Sequence, residues 1–473
     1  MSICPFKSIG RETLALHGNL TLGVWKKFLR RMLGMALIVA AVSTVTAQDE
    51  SNLNDYLGPG VLNRGAGAIG TSSGEQLDLR YYAGVSGIVD TNLQPFAVDA
   101  HGNLVRIHNL WGAQVSGGVY GVHHWKLSQL GLDYAGDYHR YANSNVYNGS
   151  DQHLTLGYTL EASRRWILDL KESAATFSTT TNYGVNKVPG DLDSGFTPAT
   201  VLFDSRTTLL NSSAYATYLQ SARNSFTIGA TGFLQDQQSV GLGKSFGYSL
   251  LGSMQRRMSK TTTIGANYNF SHYEFPALRS SSDSNSYHGT LATGIGRFWT
   301  FSFEGGVSIS AVNSQQSLAL NPELAALLGQ STVTLKSYSR TIFPSGSAIL
   351  QRKFRRASLA FNYSRAVSSG NGVVGTSRLD GANVSLSYTA ASRLNFGVGG
   401  GYYGLVPIGE NTGRFATYSG GMGLTYTIGH GINATARYDL NQVHAELDGF
   451  RRTSTRATLG LMFSPGTRPL SLW

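Results

Sequence analysis

Ten ionisable side chains recur at a spacing that gives them a common face: Asp133, Asp137, Asp169, Lys171, Glu304, Arg437 and Asp439, with His139, His153 and His288. Each stands in a stretch where polar and apolar residues alternate, and in an extended chain residues two or four apart point the same way. Groups of mixed sign on a wetted face tune which ions linger beside them; packed together, they pair and fill an interior. Neither arrangement is catalysis. The sequence has no Gly-x-Ser-x-Gly elbow, His-Glu-x-x-His, phosphate-binding loop or cysteine-based metal site, so no enzyme and no cofactor is expected. His123 and His124 are adjacent, and adjacent strand residues face opposite ways, which leaves them poorly placed to chelate one metal. No metal site is expected. Gly399-Gly400-Gly401 before Tyr402-Tyr403 reads as close strand packing, not as a nucleotide loop.

The elements that carry these residues are strands. Leu77, Leu79, Tyr81, Ala83 and Val85 alternate with Asp78, Arg80, Tyr82 and Ser86; Leu130, Leu132, Tyr134 and Tyr138 alternate with Asp133, Ala135, Asp137 and His139. The same pattern holds Leu154, Leu156, Tyr158 and Leu160 against His153, Thr155, Thr159 and Glu161, and Phe301, Phe303, Val307 and Ile309 against Ser302, Glu304, Ser308 and Ser310. It continues through Leu394–Gly399 and Ile432–Leu440 to Ala457–Phe463. Eight short connections join pairs of these stretches: Trp125–Ser128, Ser163–Trp166, Ser221–Ser225, Arg256–Thr262, Arg297–Thr300, Arg352–Ala357, Ala391–Arg393 and Gly429–Gly431. They hold thirteen Lys or Arg and no Asp or Glu, whereas the intervening loops are long, polar and mixed in charge. The longest are Phe177–Arg206 and Val312–Arg340; in the second, a short helix capped by Asn321, opened by Pro322 and closed by Gly329 packs on the rim or folds into the interior.

Short turns on one side, long loops on the other and period-2 strands between them predict an all-β, transmembrane, antiparallel up-and-down β-barrel over 76–464. About eighteen strands (sixteen to eighteen) of about nine to fourteen residues are expected, with periplasmic short turns and extracellular long loops. Residues 206–222 and 336–354 alternate ambiguously, with Pro344 in the second. A soluble propeller would show a motif recurring about every forty residues, and none is present. Fifty-seven Gly, 24 Tyr and 21 Phe against 14% charged residues suit such a wall better than a soluble enzyme.

The N-terminus sets the compartment. Lys26, Lys27, Arg30 and Arg31 precede the apolar run Met32–Val42, and Val45-Thr46-Ala47 offers a cleavage site before Gln48, so 1–47 reads as an upstream extension plus signal peptide. Translation from Val24 or Met32 would give a signal of ordinary length. Without residues 1–47 the net charge falls from +11 to +6 and Cys4, the sole cysteine, is lost. No disulfide or thiol chemistry remains. Residues 48–75 form a polar, Gly-rich periplasmic lead-in, and 465–473 a C-terminal tail.

Basic residues and aromatics meet at the short turns: Trp125 with Lys126, Arg164 and Arg165 with Trp166, Arg297 with Trp299, and Arg352, Lys353, Arg355 and Arg356 together. This is the composition of a periplasmic-rim girdle, with cations at lipid headgroups and rings below them. An exported chain has no use for a nucleic-acid surface. The signal through Ala47, the alternating strands and turns such as Ala162-Ser163-Arg164-Arg165-Trp166 and Ala391-Ser392-Arg393-Leu394 resemble bacterial outer-membrane β-barrels of the porin-like type. The resemblance covers about 390 residues by the strand pattern. It implies an outer-membrane location and a passive or weakly selective channel for small hydrophilic solutes, or else a non-conducting scaffold for adhesion or polysaccharide export. Implied partners are membrane lipids, the barrel-assembly machinery, and either a further copy of the chain or export components. Such barrels end on an aromatic residue read during assembly. Here Phe463 closes the last clear strand, and Trp473 closes the chain.

Overall fold

Alternation of this length, repeated around a ring, lets the backbone satisfy itself. The computed structural model describes residues 77–93, 107, 109–144, 146–178, 206–237, 244–319, 331–370, 375–391, 393–409, 413–446 and 449–464. The extension, signal, lead-in and tail expected from the sequence, the 321–329 helix and Trp473 lie outside them. The strands are β1 (Leu77–Thr91), β2 (Leu110–His124), β3 (Ser128–Tyr141), β4 (Gly149–Ser163), β5 (Trp166–Phe177) and β6 (Thr207–Leu219). There follow β7 (Asn224–Gln237), β8 (Ser245–Arg257), β9 (Thr262–Phe275), β10 (Ser280–Ile295), β11 (Trp299–Ala319) and β12 (Thr332–Lys353). The ring is completed by β13 (Ala357–Ser368), β14 (Ser377–Ala391), β15 (Leu394–Pro407), β16 (Phe415–Gly429), β17 (Ile432–Ala445) and β18 (Phe450–Phe463).

All 18 strands form one antiparallel sheet in which each pairs with its neighbours in sequence, and β1 pairs with β18 from Ala83↔Phe463 to Thr91↔Thr455. The sheet is therefore closed. Closure leaves no open edge, the condition for strands to stand in hydrocarbon without orphaned backbone groups. The expected fold and strand count hold, and strands of 12 to 22 residues exceed the roughly ten a tilted span requires.

The eight short connections fall where the sequence places them, all at one end of the barrel. The tightest shows its chemistry plainly. Gly429 pairs with Ile432 across His430 (φ 51°) and Gly431 (φ 83°), two left-handed residues that match the twist of a hairpin.

Connections at the other end differ greatly in length: β9 to β10 takes only Pro276–Arg279 and β17 to β18 only 446–449, whereas β5 to β6 spans 178–206. That end departs from expectation once. The expected loop Val312–Arg340 is in large part strand. β11 and β12 stay in register from Trp299↔Arg352 out to Ala319↔Thr332, beyond their neighbours. There the outward positions Asn313, Gln315, Lys336 and Arg340 are as polar as the inward ones, so the ladder continues while the alternation that reveals it disappears. Pro344 fits because β12 pairs with β13 only from Gly346 onward, leaving the proline beside a single ladder partner. At Gly346 a Cβ would collide with the Glu304 carbonyl, so the backbones of β11 and β12 approach there only through glycine.

The wall is inverted relative to a water-soluble protein. Leu459 is 70% exposed and Ile228 63%, while Asp90, His139 and Ser310 are fully buried. Apolar side chains face out and polar ones in. Outward aromatics gather at two heights. Toward the short turns, Trp166 packs on Tyr218 (5.1 Å) and Tyr81 on Phe463 (6.3 Å); toward the other end Tyr402 meets Tyr418 (5.1 Å), and Tyr268 meets Tyr287 (5.1 Å) at mid-strand. Two such belts bracket an apolar band. Glu172, midway along β5, breaks the band: its carboxylate faces outward and accepts a hydrogen bond from Ser212 Oγ.

Candidate functional site

The inner wall is built from cross-strand polar pairs, because the residues opposite one another on a ladder share a face. Thr217 meets Thr227 (2.9 Å), Ser358 meets Ser387 (2.7 Å), Asn362 donates to Asn383 (2.9 Å) and Ser286 meets Ser308 (2.6 Å). Along β6–β16, apart from tyrosines and the rim residues Arg257 and Lys353, His288 and Glu304 are the ionisable side chains on this face among the described residues. Their side chains meet at 2.8 Å, with Asn267 donating to Glu304 and His288 Nε2 lying 2.7 Å from Ser345 Oγ.

Charge concentrates on the remaining arc, β17–β18–β1–β5. Arg437 pairs with Asp439 two residues along β17 (2.7 Å), and Asp439 stands opposite Arg456 of β18. Asp169 accepts a hydrogen bond from Thr159 Oγ1 (2.7 Å), and Lys171 stands opposite Gly157 and Ser213, both Asp169 and Lys171 being half-buried. Asp133, opposite Tyr120, is buried, and His153 lies 3.0 Å from Thr155 Oγ1. The sequence-derived inner residues thus separate into two groups. Asp169, Lys171, Arg437 and Asp439 retain solvent access, whereas Asp133, Asp137 and His139 do not.

The buried group belongs to a larger constellation whose other members sequence reasoning missed. Tyr141 donates a short hydrogen bond to Asp90 (2.5 Å), Arg456 Nε lies 3.8 Å from the same carboxylate, and an Arg456 amino group donates to Gln114 (3.2 Å). Beside them Asp137 stands directly opposite Asp151, with His139 two residues on. Ile88, Leu93, Leu110, Tyr141 and Tyr147 close over this corner as an apolar cluster. The only sequence signal was the inward phase of Asp90, Asp151 and Arg456; nothing local shows which strand faces which.

Toward the long-loop end many inward residues are inaccessible: Ser282, Ser284, Ser308 and Ser310 on β10 and β11, Leu405, Phe415 and Val443 on β15–β17, and Arg452 and Ser454 on β18. Toward the short turns, Thr159, Glu161, Ser302, Gln351 and Asn433 remain partly or fully exposed. At the long-loop end two connections contact distant strands. Thr376, before β14, meets Ser282 of β10, and Ile408, after β15, packs on Val312 of β11 and Phe343 of β12. Ile408 N donates to Thr376 O (2.9 Å), tying the two connections together. Packing also reaches the short-turn half, where inward Tyr82, Val122, Asp133 and Ile167 are buried.

At the short-turn rim the basic and aromatic residues are in contact. The Arg352 guanidinium lies over the Trp299 ring (4.8 Å) and over Phe354 (4.3 Å), and Trp125 meets His123 edge-on (4.3 Å). Lys126, Arg164, Arg165, Arg297, Lys353, Arg355 and Arg356 stand exposed at the same end.

No family model matches the chain. No curated protein matches it either. Among solved structures it is similar to the ferric citrate transporter FecA (TM-score 0.40, 11% identity, 80% of this chain and 61% of that one). It is also similar to OccAB1 of Acinetobacter baumannii (0.38, 9%, 83% and 98%) and to the outer membrane protein OpdK of Pseudomonas aeruginosa (0.36, 11%, 82% and 98%). The chain spans about three-fifths of the length of FecA. Similarity at this level leaves the functional reading to the residues of the wall and interior.

Proposed function

We propose that the chain is an outer-membrane, porin-like channel for small hydrophilic solutes, narrowed at its long-loop mouth. The observation that carries this reading is a closed barrel with an apolar, aromatic-belted exterior and an interior faced with hydroxyl, amide and charged pairs. A polar interior is what a hydrated passage requires. The basic short-turn rim sits at the periplasmic leaflet, where each Lys or Arg near anionic headgroups contributes about 1 kcal/mol before screening. Asp169, Lys171, Arg437 and Asp439 line the passage and set its weak selectivity. Phe463, outward at the end of the closing strand, is placed for recognition by the assembly machinery.

The packed mouth favours a second reading, a non-conducting scaffold for adhesion or polysaccharide export that displays its loops. Liposome swelling separates the two. A porin-like channel admits arabinose faster than larger sugars, with a sharp size cut-off. Liposomes that hold the folded barrel and swell no faster than empty ones in any sugar support the scaffold.

A further inference from the structure

The interior corner where β3 and β4 meet holds Asp137, His139 and Asp151, and their candidate ligand atoms all lie within 4.8 Å of one another. All three are buried, His139 and Asp151 completely. The sheet brings them together: Asp137 and Asp151 face each other across the ladder, and His139 follows on the same side of β3.

The imidazole is oriented by a group that can only accept. His139 Nε2 lies 2.8 Å from the Tyr147 carbonyl oxygen, so that nitrogen carries the proton and Nδ1 turns to the carboxylates. Nδ1 is 3.2 Å from Asp137 Oδ1 and 3.9 Å from Asp151 Oδ2. A ring lone pair aimed at two carboxylates is an arrangement that a cation held among the three groups would stabilise. Ser178 helps to hold the set: its backbone N–H donates to Asp151 Oδ1 (2.6 Å), its hydroxyl lies 2.9 Å from His139 Nε2, and Asp151 Oδ2 faces the ring at 3.9 Å from Nδ1. An imidazole anchored through one nitrogen to a carbonyl, with its ligating nitrogen and the carboxylates each held by neighbours, is how metal-binding histidines are set.

The geometry points to a divalent transition-metal site at Asp137, His139 and Asp151. One imidazole nitrogen and two carboxylate oxygens suit Zn²⁺ and its first-row neighbours better than Ca²⁺, which takes six to eight oxygens. Ligands about 2.1 Å from a tetrahedral Zn²⁺ stand about 3.4 Å apart, close to the spacing present here. A bound ion would join β3, β4 and the residue that follows β5 at the packed end of the barrel, independently of whether the interior conducts.

The test uses tag-free, full-length barrel, stripped with chelator, folded in detergent and titrated with ZnCl₂. The site predicts one Zn²⁺ retained per barrel after desalting and a higher thermal unfolding midpoint. Affinity falls at least ~10-fold in each of His139→Gln and Asp151→Asn, whereas His123→Gln, at the opposite rim, leaves it unchanged. X-ray absorption on the zinc-loaded wild type supplies a readout that needs no variant to fold, and one imidazole with oxygen ligands is expected. Folded wild type that retains no zinc overturns the site. Zinc whose ligands include no imidazole, or zinc held equally by His139→Gln and Asp151→Asn, overturns it too.

Discussion

Glu172 shows most sharply what the outer wall demands of a single residue. Its carboxylate lies on the outward face midway along β5, flanked by Leu170 and Ala174, and Ser212 supplies a hydrogen bond across the ladder. Hydrocarbon penalises such a group, by less than the 2–4 kcal/mol of a mid-membrane Lys or Arg. Glu172→Leu is therefore expected to stabilise the barrel by about 1 kcal/mol. The check is urea unfolding in lipid vesicles, and an unchanged or lower midpoint contradicts an outward, lipid-facing position. Other single residues show how much of the interior was legible. Asp137 and His139 share a phase within one strand, which any reader of the sequence can count. Asp151 joins them only through the register Asp137↔Asp151, and Asp90 meets Arg456 only because the first strand closes on the last. Those pairings depend on connection lengths and ring closure, which a local pattern does not encode.

Among the elements, the turns at the short-turn end were legible because Arg-rich or Gly-rich breaks interrupt the alternation, although the strands β6 and β12 leading into two of them alternate ambiguously. The β11–β12 hairpin was not. Its outer part runs to Ala319↔Thr332 through Gln315, Gln316, Ser317 and Lys336, where both faces are polar and period 2 carries no signal. Likewise, no local pattern shows that the connection around Ile408 crosses the mouth, since its partners Val312 and Phe343 belong to strands four and three places away. Ile408 is 5% exposed in that contact, and Ile408→Ala should cost about 2–5 kcal/mol if the cluster cannot collapse. The same substitution is expected to raise solute flux, because it loosens the crossing without touching a lumen charge. A stable variant with unchanged flux would place the constriction elsewhere.

As a whole the molecule is asymmetric in two directions. Around the ring, charge occupies β17–β18–β1–β5 and neutral hydroxyl and amide ladders occupy most of the rest. Along the axis, buried inward residues are most numerous in the long-loop half, with Tyr82, Val122, Asp133 and Ile167 buried in the short-turn half as well. A passage with one charged, solvated arc selects weakly between ions, and a narrow mouth limits its conductance. The most direct measurement is the current through purified, folded barrel in a planar lipid bilayer under a KCl gradient. The account predicts discrete steps and a small reversal potential that moves toward anion preference in Asp169→Asn. A bilayer that stays sealed at high doses of demonstrably folded barrel contradicts it.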